Sequence, residues 1–404
     1  MADSALMNTY ARLDVAFDRG EGAWLMASDG RRFLDFAAGI GVNGLGHAHP
    51  ALVAALTAQA GRLWHCSNNY RIPGQEAVAR TLTDHSFAQT VFFCNSGAEA
   101  LEAALKLARY TQKKRGQPER WRTITFEGAF HGRTLATVTA GGQPKYVNGF
   151  EPLVDGFDRA RFNDLASVEA AIGPQTAAIL LEPVMGEGGI RVAEAGFLRG
   201  LRTLCDRHGL LLLLDEVQTG IGRTGRLFAH EWAFDAPGLR PDIVAVAKGL
   251  GGGFPVGACL AAGDAAHAFA PGAHGTTFGG NPLAMAVAGA VLEQVLAPGF
   301  LEQVRQTGAL LERRLSNLQA AFPTLMTGVR GIGLMRGLHL TIPPADLVRA
   351  AFAEGLLLVG AGDNVVRLLP PLIIGQTEVE AAMDKLFTAL STLMRVTSPL
   401  PARV

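Results

Sequence analysis

The middle of the chain alternates short apolar runs with longer stretches in which apolar residues recur every three or four positions. Apolar runs bounded by turn residues are the pattern of strands buried on both faces, and their interleaving with helices predicts a mostly parallel, covered sheet. Strands are predicted at Val91–Cys94, Arg122–Phe126, Ala177–Leu181, Leu210–Leu214 and Ile243–Ala247, with helices such as Ala98–Tyr110 and Phe197–His208 between them. In the first of these helices Leu101, Leu105 and Ala108 share a face, and Glu102 precedes Lys106 by four residues, the spacing of a favourable surface pair. Near the start of the chain, Asp29-Gly30 between "AWLMAS" and "RRFLDF" predicts a hairpin turn. After "GGNPLAMAVAG" one long helical pattern, roughly 283–320, predicts a connector into a C-terminal α+β portion with strands near 329–340 and 365–369. The expected class is α/β with a smaller terminal domain.

Composition fits that picture. The 404 residues leave room for one large and one smaller domain, and 49% hydrophobic with 18% charged residues supports a sizeable core rather than disorder. Lys plus Arg (36) equals Asp plus Glu (36), which argues against a nucleic-acid or anionic-membrane partner. Cys66, Cys94, Cys205 and Cys259 lie far apart with no metal-binding spacing, so free buried thiols and no metal are expected. The opening "MADSALMNTYARLD" lacks a basic-then-apolar pattern, and no apolar run approaches the ~18 residues of a membrane helix. The expectation is a soluble, cytoplasmic protein.

Ligands of open α/β sheets gather at the carboxyl ends of the strands, so the residues that follow each strand are the candidates for chemistry. Lys248, in "VAKGLGGGFPVGA", is the only charge between an apolar run and three glycines. A lysine so placed lowers its pKa, finds a partner, or condenses with a carbonyl as a Schiff base. Asp215 closes a run of five leucines and needs a cation, either a local arginine or a cationic cofactor nitrogen. A lysine and a carboxylate ending neighbouring strands match the needs of pyridoxal 5'-phosphate, whose ring nitrogen an acid keeps protonated. Asn95-Ser96-Gly97 serves equally as a plain helix cap or as a phosphate seat at a helix N-terminus. Phe130 fits either a core position or a stacking partner for a flat ring, and Arg133 either a surface ion pair or a carboxylate fork. The glycines at 251–253 match no nucleotide-binding motif.

With those pieces placed, the sequence resembles the class III (fold-type I) pyridoxal-phosphate aminotransferases, in their acetylornithine aminotransferase branch. The resemblance runs nearly end to end. It covers "FDRGEGAWLMASDGRRFLDFAAGIGVNGLGHAHP", "VFFCNSGAEA", "AFHGRTLATVTAGGQPKY", "LEPVMGEGG", "LLLLDEVQTGIGRTG", "PDIVAVAKGLGGGFPVGA", "HGTTFGGNPLA" and "AGDNVVRLLPPL". It implies a large cofactor-binding domain over 46–291 and a small α+β domain formed by the termini, 1–45 and 292–404. It implies Lys248 as the Schiff-base lysine, Asp215 on the pyridinium, Gln218 on the ring hydroxyl, and Val217 and Phe130 on the two ring faces. Ser96, Gly97 and Ala98 are implied to hold the phosphate. Thr277 is implied to reach the phosphate of the partner subunit of a homodimer, with Thr276 next to substrate.

The reaction implied is a ping-pong exchange between N-acetylornithine and 2-oxoglutarate, giving glutamate. Arg133 is implied to grip the α-carboxylate of the acylated ornithine or the distal carboxylate of glutamate. Arg367 is implied to take the α-carboxylate of glutamate, and Glu187 to act as the gate that pairs with Arg367 while the amine substrate is bound. From patterning alone, Arg367 lies among Val365, Val366, Leu368 and Leu369 and needs a buried partner. Two departures matter. Met185 stands where relatives usually carry glutamine, and Gly39 where relatives acting on free ornithine carry an aromatic. The latter favours an acylated substrate. Succinylornithine or N-succinyl-diaminopimelate aminotransferase is the alternative within the same family.

Overall fold

The computed structural model describes residues 5–233 and 240–397; the ends of the predicted terminal segments, 1–4 and 398–404, lie outside them. Seven strands form the central sheet in the order Thr90–Cys94, Gly257–Ala261, Ile243–Val246, Leu211–Asp215, Thr176–Leu181, Arg122–Phe126 and Phe157–Ala160. All neighbours are parallel except Gly257–Ala261, which runs antiparallel to both of its partners. The Leu211–Asp215 and Thr176–Leu181 strands are buried along their whole length, in keeping with the apolar runs "LLLL" and "AAILL" within them.

The helices follow their expected faces. Gly97–Lys114 is capped by Ser96, whose side chain accepts from the Glu99 N–H at 3.2 Å, and carries Lys113 and Lys114 against its C-terminal carbonyls. The expected Glu102–Lys106 pair is not formed. Thr134 Oγ1 donates to Glu102 at 2.6 Å, and Lys106 Nζ reaches His274 Nδ1 at 2.8 Å. Tertiary partners displace a surface pair worth only a few tenths of a kcal/mol.

The predicted single helix over 283–320 is two, Pro282–Val295 and Phe300–Ala321, bent by 69°. Pro298 has no N–H to continue the first, and Gly299, at φ +86°, starts the second. The predicted strand near 329–340 is likewise a hairpin, Met326–Ile332 with Met335–Leu340, turning at Gly333 (φ +58°).

The N-terminal strands Phe17–Glu21, Trp24–Ala27 and Arg32–Asp35 form an antiparallel ribbon, turned at Asp29-Gly30 with Gly30 at φ +89°, and Arg32–Asp35 pairs in parallel with Leu356–Leu357. Leu34 and Phe36 therefore share one apolar core with Leu311, Leu338, Leu356 and Leu386, apart from the core around the large sheet. The buried Arg223 bridges toward this second core, donating to Leu334 O (3.0 Å) and Pro370 O (2.5 Å). Desolvation lowers it to about 10. Cys94, Cys205 and Cys259 are buried free thiols, and burial pushes Cys94 up to about 12; Cys66, expected to be buried too, is partly exposed. Among the described residues no single helix is long and apolar enough to cross a membrane.

Candidate active site

Five strands end at one edge of the sheet, and the residues just beyond them enclose a cavity of about 420 Å³, in the size range of small-molecule sites. From Leu211–Asp215 comes Asp215 itself, 5% exposed. Its Oδ1 accepts from the Val217 N–H (3.0 Å), and its Oδ2 lies 2.8 Å from His131 Nδ1. A carboxylate only accepts, so His131 carries the proton on Nδ1; His131 Nε2 has no partner. Among the described residues no arginine or lysine makes an ion pair with Asp215.

Lys248 follows Ile243–Val246 and lines the same cavity. Its backbone sits at φ +42°, a left-handed conformation that an L residue adopts only where the surroundings hold it there. Burial lowers its pKa; the Asp215 charge opposes that shift and Arg367 adds to it. A neutral amine, the nucleophilic form, is therefore more available here than on a surface lysine.

Ser96, Gly97 and Ala98 open the helix Gly97–Lys114 at the cavity wall, presenting first-turn amides and the positive end of the helix. A Cβ on Gly97 would lie 2.7 Å from Val217 Cγ1, so glycine is what lets Val217 pack against this turn. Phe130, Val217 and Gln218 line the cavity as well. Gln218 Oε1 is buried without a partner, and a Cβ on Gly186 would overlap it. Arg133 is exposed, forms no ion pair among the described residues, and lies over the Tyr146 ring at 4.1 Å and the Phe130 ring at 5.7 Å.

Arg367 does not line the cavity. It is 1% exposed in the strand Val365–Leu368, with Nη1 2.6 Å from Glu187 Oε1, Nη2 donating to Gly360 O (2.9 Å) and Nε unpartnered. Glu187, which does line it, is the buried partner that the apolar surroundings of Arg367 demanded. Thr276 and Thr277 also fall outside the cavity. Thr276 Oγ1 accepts from Asn95 Nδ2 (3.3 Å), whereas Thr277 is exposed.

Two residues that sequence reasoning did not single out are built into this site. His131 is the hydrogen-bonding partner of Asp215, and Glu182, buried, lines the cavity. Glu182 had a signal of the same kind as Asp215, a carboxylate closing the apolar run "AAILL".

The match to known proteins fits this geometry. The family model for class-III aminotransferases matches residues 6–390. The chain belongs to the class III aminotransferases. It is 57% identical over 388 residues to the acetylornithine aminotransferase of Brucella melitensis, covering 96% of this chain and 95% of that protein. Among solved structures, N-acetylornithine aminotransferase from Stenotrophomonas maltophilia superposes with a TM-score of 0.83 at 39% identity, covering 96% of this chain and 98% of that one. The ornithine aminotransferase of Toxoplasma gondii superposes with a TM-score of 0.92 at 30% identity, covering 97% and 94%.

Class III aminotransferases depend on pyridoxal 5'-phosphate, and the residues present fit it. The open helix start at Ser96–Ala98 suits a phosphate, and the walls at Phe130 and Val217 suit a flat ring. The unpartnered Gln218 Oε1 suits a ring hydroxyl, Asp215 a ring N–H, and Lys248 the aldehyde carbon.

Proposed function

We propose that this aminotransferase moves the δ-amino group between N-acetylornithine and 2-oxoglutarate, giving N-acetylglutamate 5-semialdehyde and glutamate, in arginine biosynthesis. The observation that carries this reading is the pair of arginines beside one lysine: Arg133 unpaired at the mouth, Arg367 held by Glu187. Two substrates that differ at one end need two carboxylate sites, one of them switchable.

When bound, pyridoxal phosphate supplies an aldehyde that links to amines and a ring that withdraws electrons from the adjacent carbon. Asp215, kept in place by His131 and the Val217 N–H, holds the ring nitrogen protonated. Arg133 holds the α-carboxylate of the acylated ornithine, with Thr276 beside the substrate, while Glu187 neutralises Arg367. Lys248 Nζ takes the proton from Cδ of that substrate. In the second half, Glu187 swings away and Arg367 takes the α-carboxylate of glutamate, Arg133 the distal one, and Lys248 moves the proton at Cα. Gly39 lacks the aromatic that relatives acting on free ornithine carry there, which supports an acylated substrate.

The same reading makes the protein a cytoplasmic homodimer, with large and small domains divided near residues 45 and 291. Thr277 of each copy would then serve the phosphate site of the other. Thr277 is exposed next to the exposed Phe278, with Trp64 and Tyr70 also uncovered in the single chain.

The test is a substrate panel with 2-oxoglutarate as acceptor: N-acetylornithine, N-succinylornithine, ornithine and 4-aminobutyrate. We expect kcat/KM for the acylated substrates to exceed that for the other two by about a hundredfold or more. A preference for free ornithine would sink the assignment; a preference for the succinyl substrate would move it to the succinylornithine or N-succinyl-diaminopimelate enzymes of the same family.

Met185, next to the gate segment, offers a second check. It is fully buried, with Sδ 3.2 Å from Arg191 Nη2, so no amide stands beside Glu187 at this position. Met185→Gln is expected to change kcat/KM for glutamate about threefold or more, and that for N-acetylornithine less. Equal effects on the two half-reactions would show that position 185 does not tune the gate.

A further inference from the structure

Glu182 is the first residue after Thr176–Leu181, a strand flanked in the sheet by Leu211–Asp215 and Arg122–Phe126. Its carboxyl group is buried and its two oxygens serve two different loops. Oε1 accepts from the Phe130 N–H at 2.9 Å, and Oε2 from the Gly186 N–H at 3.1 Å. Phe130 is a wall of the cavity, and Gly186 directly precedes Glu187, the partner of Arg367. No lysine or arginine makes an ion pair with Glu182 among the described residues. A buried carboxyl without a cation is costly, and among the described residues its hydrogen bonds are these two backbone contacts.

We propose that Glu182 is a positioning residue that ties the ring wall to the substrate gate, one carboxylate holding the Phe130 and Gly186 loops in fixed relation. The inference rests on the reading of Glu187 and Arg367 as the gate. Neighbouring Asp215 holds the same loop one residue further on, through His131. The two acids thus grip consecutive residues, 130 and 131, from adjacent strands.

The ionisable groups facing Glu182 are Asp215, His131 and Lys248. Burial first, and the Asp215 charge second, push Glu182 up to about 7, with His131 opposing. Above that value both oxygens are bare and accept both N–H groups. Below it one oxygen carries a proton, cannot serve its N–H as before, and one brace is lost. The link between wall and gate is therefore present on the alkaline side of neutrality and weakened on the acid side.

Glu182→Gln reproduces the weakened state at every pH, because an amide offers one acceptor and one donor where two acceptors are needed. The experiment uses the full-length, cofactor-loaded protein. It pairs hydrogen exchange of the 127–133 and 183–190 segments, one unit either side of neutrality, with single-turnover half-reactions for glutamate and for N-acetylornithine.

In Glu182→Gln we expect both segments to exchange about fivefold or more faster than wild type on the alkaline side, with no further pH dependence after correction for intrinsic rates. The ratio of kcat/KM for glutamate to that for N-acetylornithine should rise about tenfold, the equivalent of one hydrogen bond of about 1.4 kcal/mol. A looser Glu187 frees Arg367 for glutamate and leaves it less well neutralised under the amine substrate. Equal losses in both half-reactions, or unchanged exchange in the two segments, overturn the proposal. Should the variant fail to fold, wild type alone decides: protection of the two segments must fall together on acidification, and independent or absent changes overturn it. If wild type turns over neither substrate, the N-acetylornithine reading fails, while the exchange data still judge the brace.

Discussion

Lys248→Ala is expected to lower kcat with N-acetylornithine by at least about four orders of magnitude, while the protein still folds. The cavity wall contains no other lysine. The left-handed backbone at position 248 is no more strained with alanine than with lysine, because both carry a Cβ. Removing a desolvated ammonium also relieves an unfavourable burial. Thermal unfolding of the variant should therefore match wild type to within a few degrees. Borohydride treatment of loaded wild type should add cofactor mass to the peptide containing Lys248, and none to that peptide in the variant. Activity within tenfold of wild type would mean that another group performs the proton transfer.

Asp215→Asn should cost about a thousandfold in kcat, the scale of losing one preorganised charge in a water-poor site. Two further signs follow from the electrostatics. The Asp215 charge raises the Lys248 pKa against burial, so its removal lets the amine titrate lower still. It also raises Glu182, so its removal brings Glu182 back toward the ordinary carboxylate range. The pH dependence of Lys248 acylation in the cofactor-free protein measures the first shift directly, and its midpoint should move toward acid. A midpoint moving toward alkali would show that the asparagine has rearranged the site. The folded protein should survive the change, since the asparagine carbonyl still accepts from the Val217 N–H or from His131.

The sheet and much of this site were legible because their physics is local. Unbroken apolar runs at 177–181, 210–214 and 243–246 leave a strand no polar face to show, and polar residues closing such runs land at the edge where ligands bind. Asp215 and Lys248 were visible for that reason. Glu182 closes a run in the same way but lies inside "LEPVMGEGG", where attention falls on the glycines and the gate acid. Arg367 declared its need for a partner, yet Glu187 lies far away in sequence and only the tertiary fold brings them to 2.6 Å. The break in the helix at Pro298-Gly299 was written in the chain, but strong helical periodicity on both sides masked it. Gly257–Ala261, short and rich in small residues, gave too weak a strand signal, and its antiparallel direction is a property of pairing alone.

That reversed strand also matters while the protein is being made. Thr90–Cys94 is an outer strand whose one partner is Gly257–Ala261, so as the polypeptide leaves the ribosome the aromatic-bearing "TVFFC" has no native companion until Ala261 has emerged. Throughout that interval it is an open, sticky β edge on a growing chain, a template for joining the wrong molecule. Messages truncated before that codon would yield products prone to clump rather than merely inactive ones.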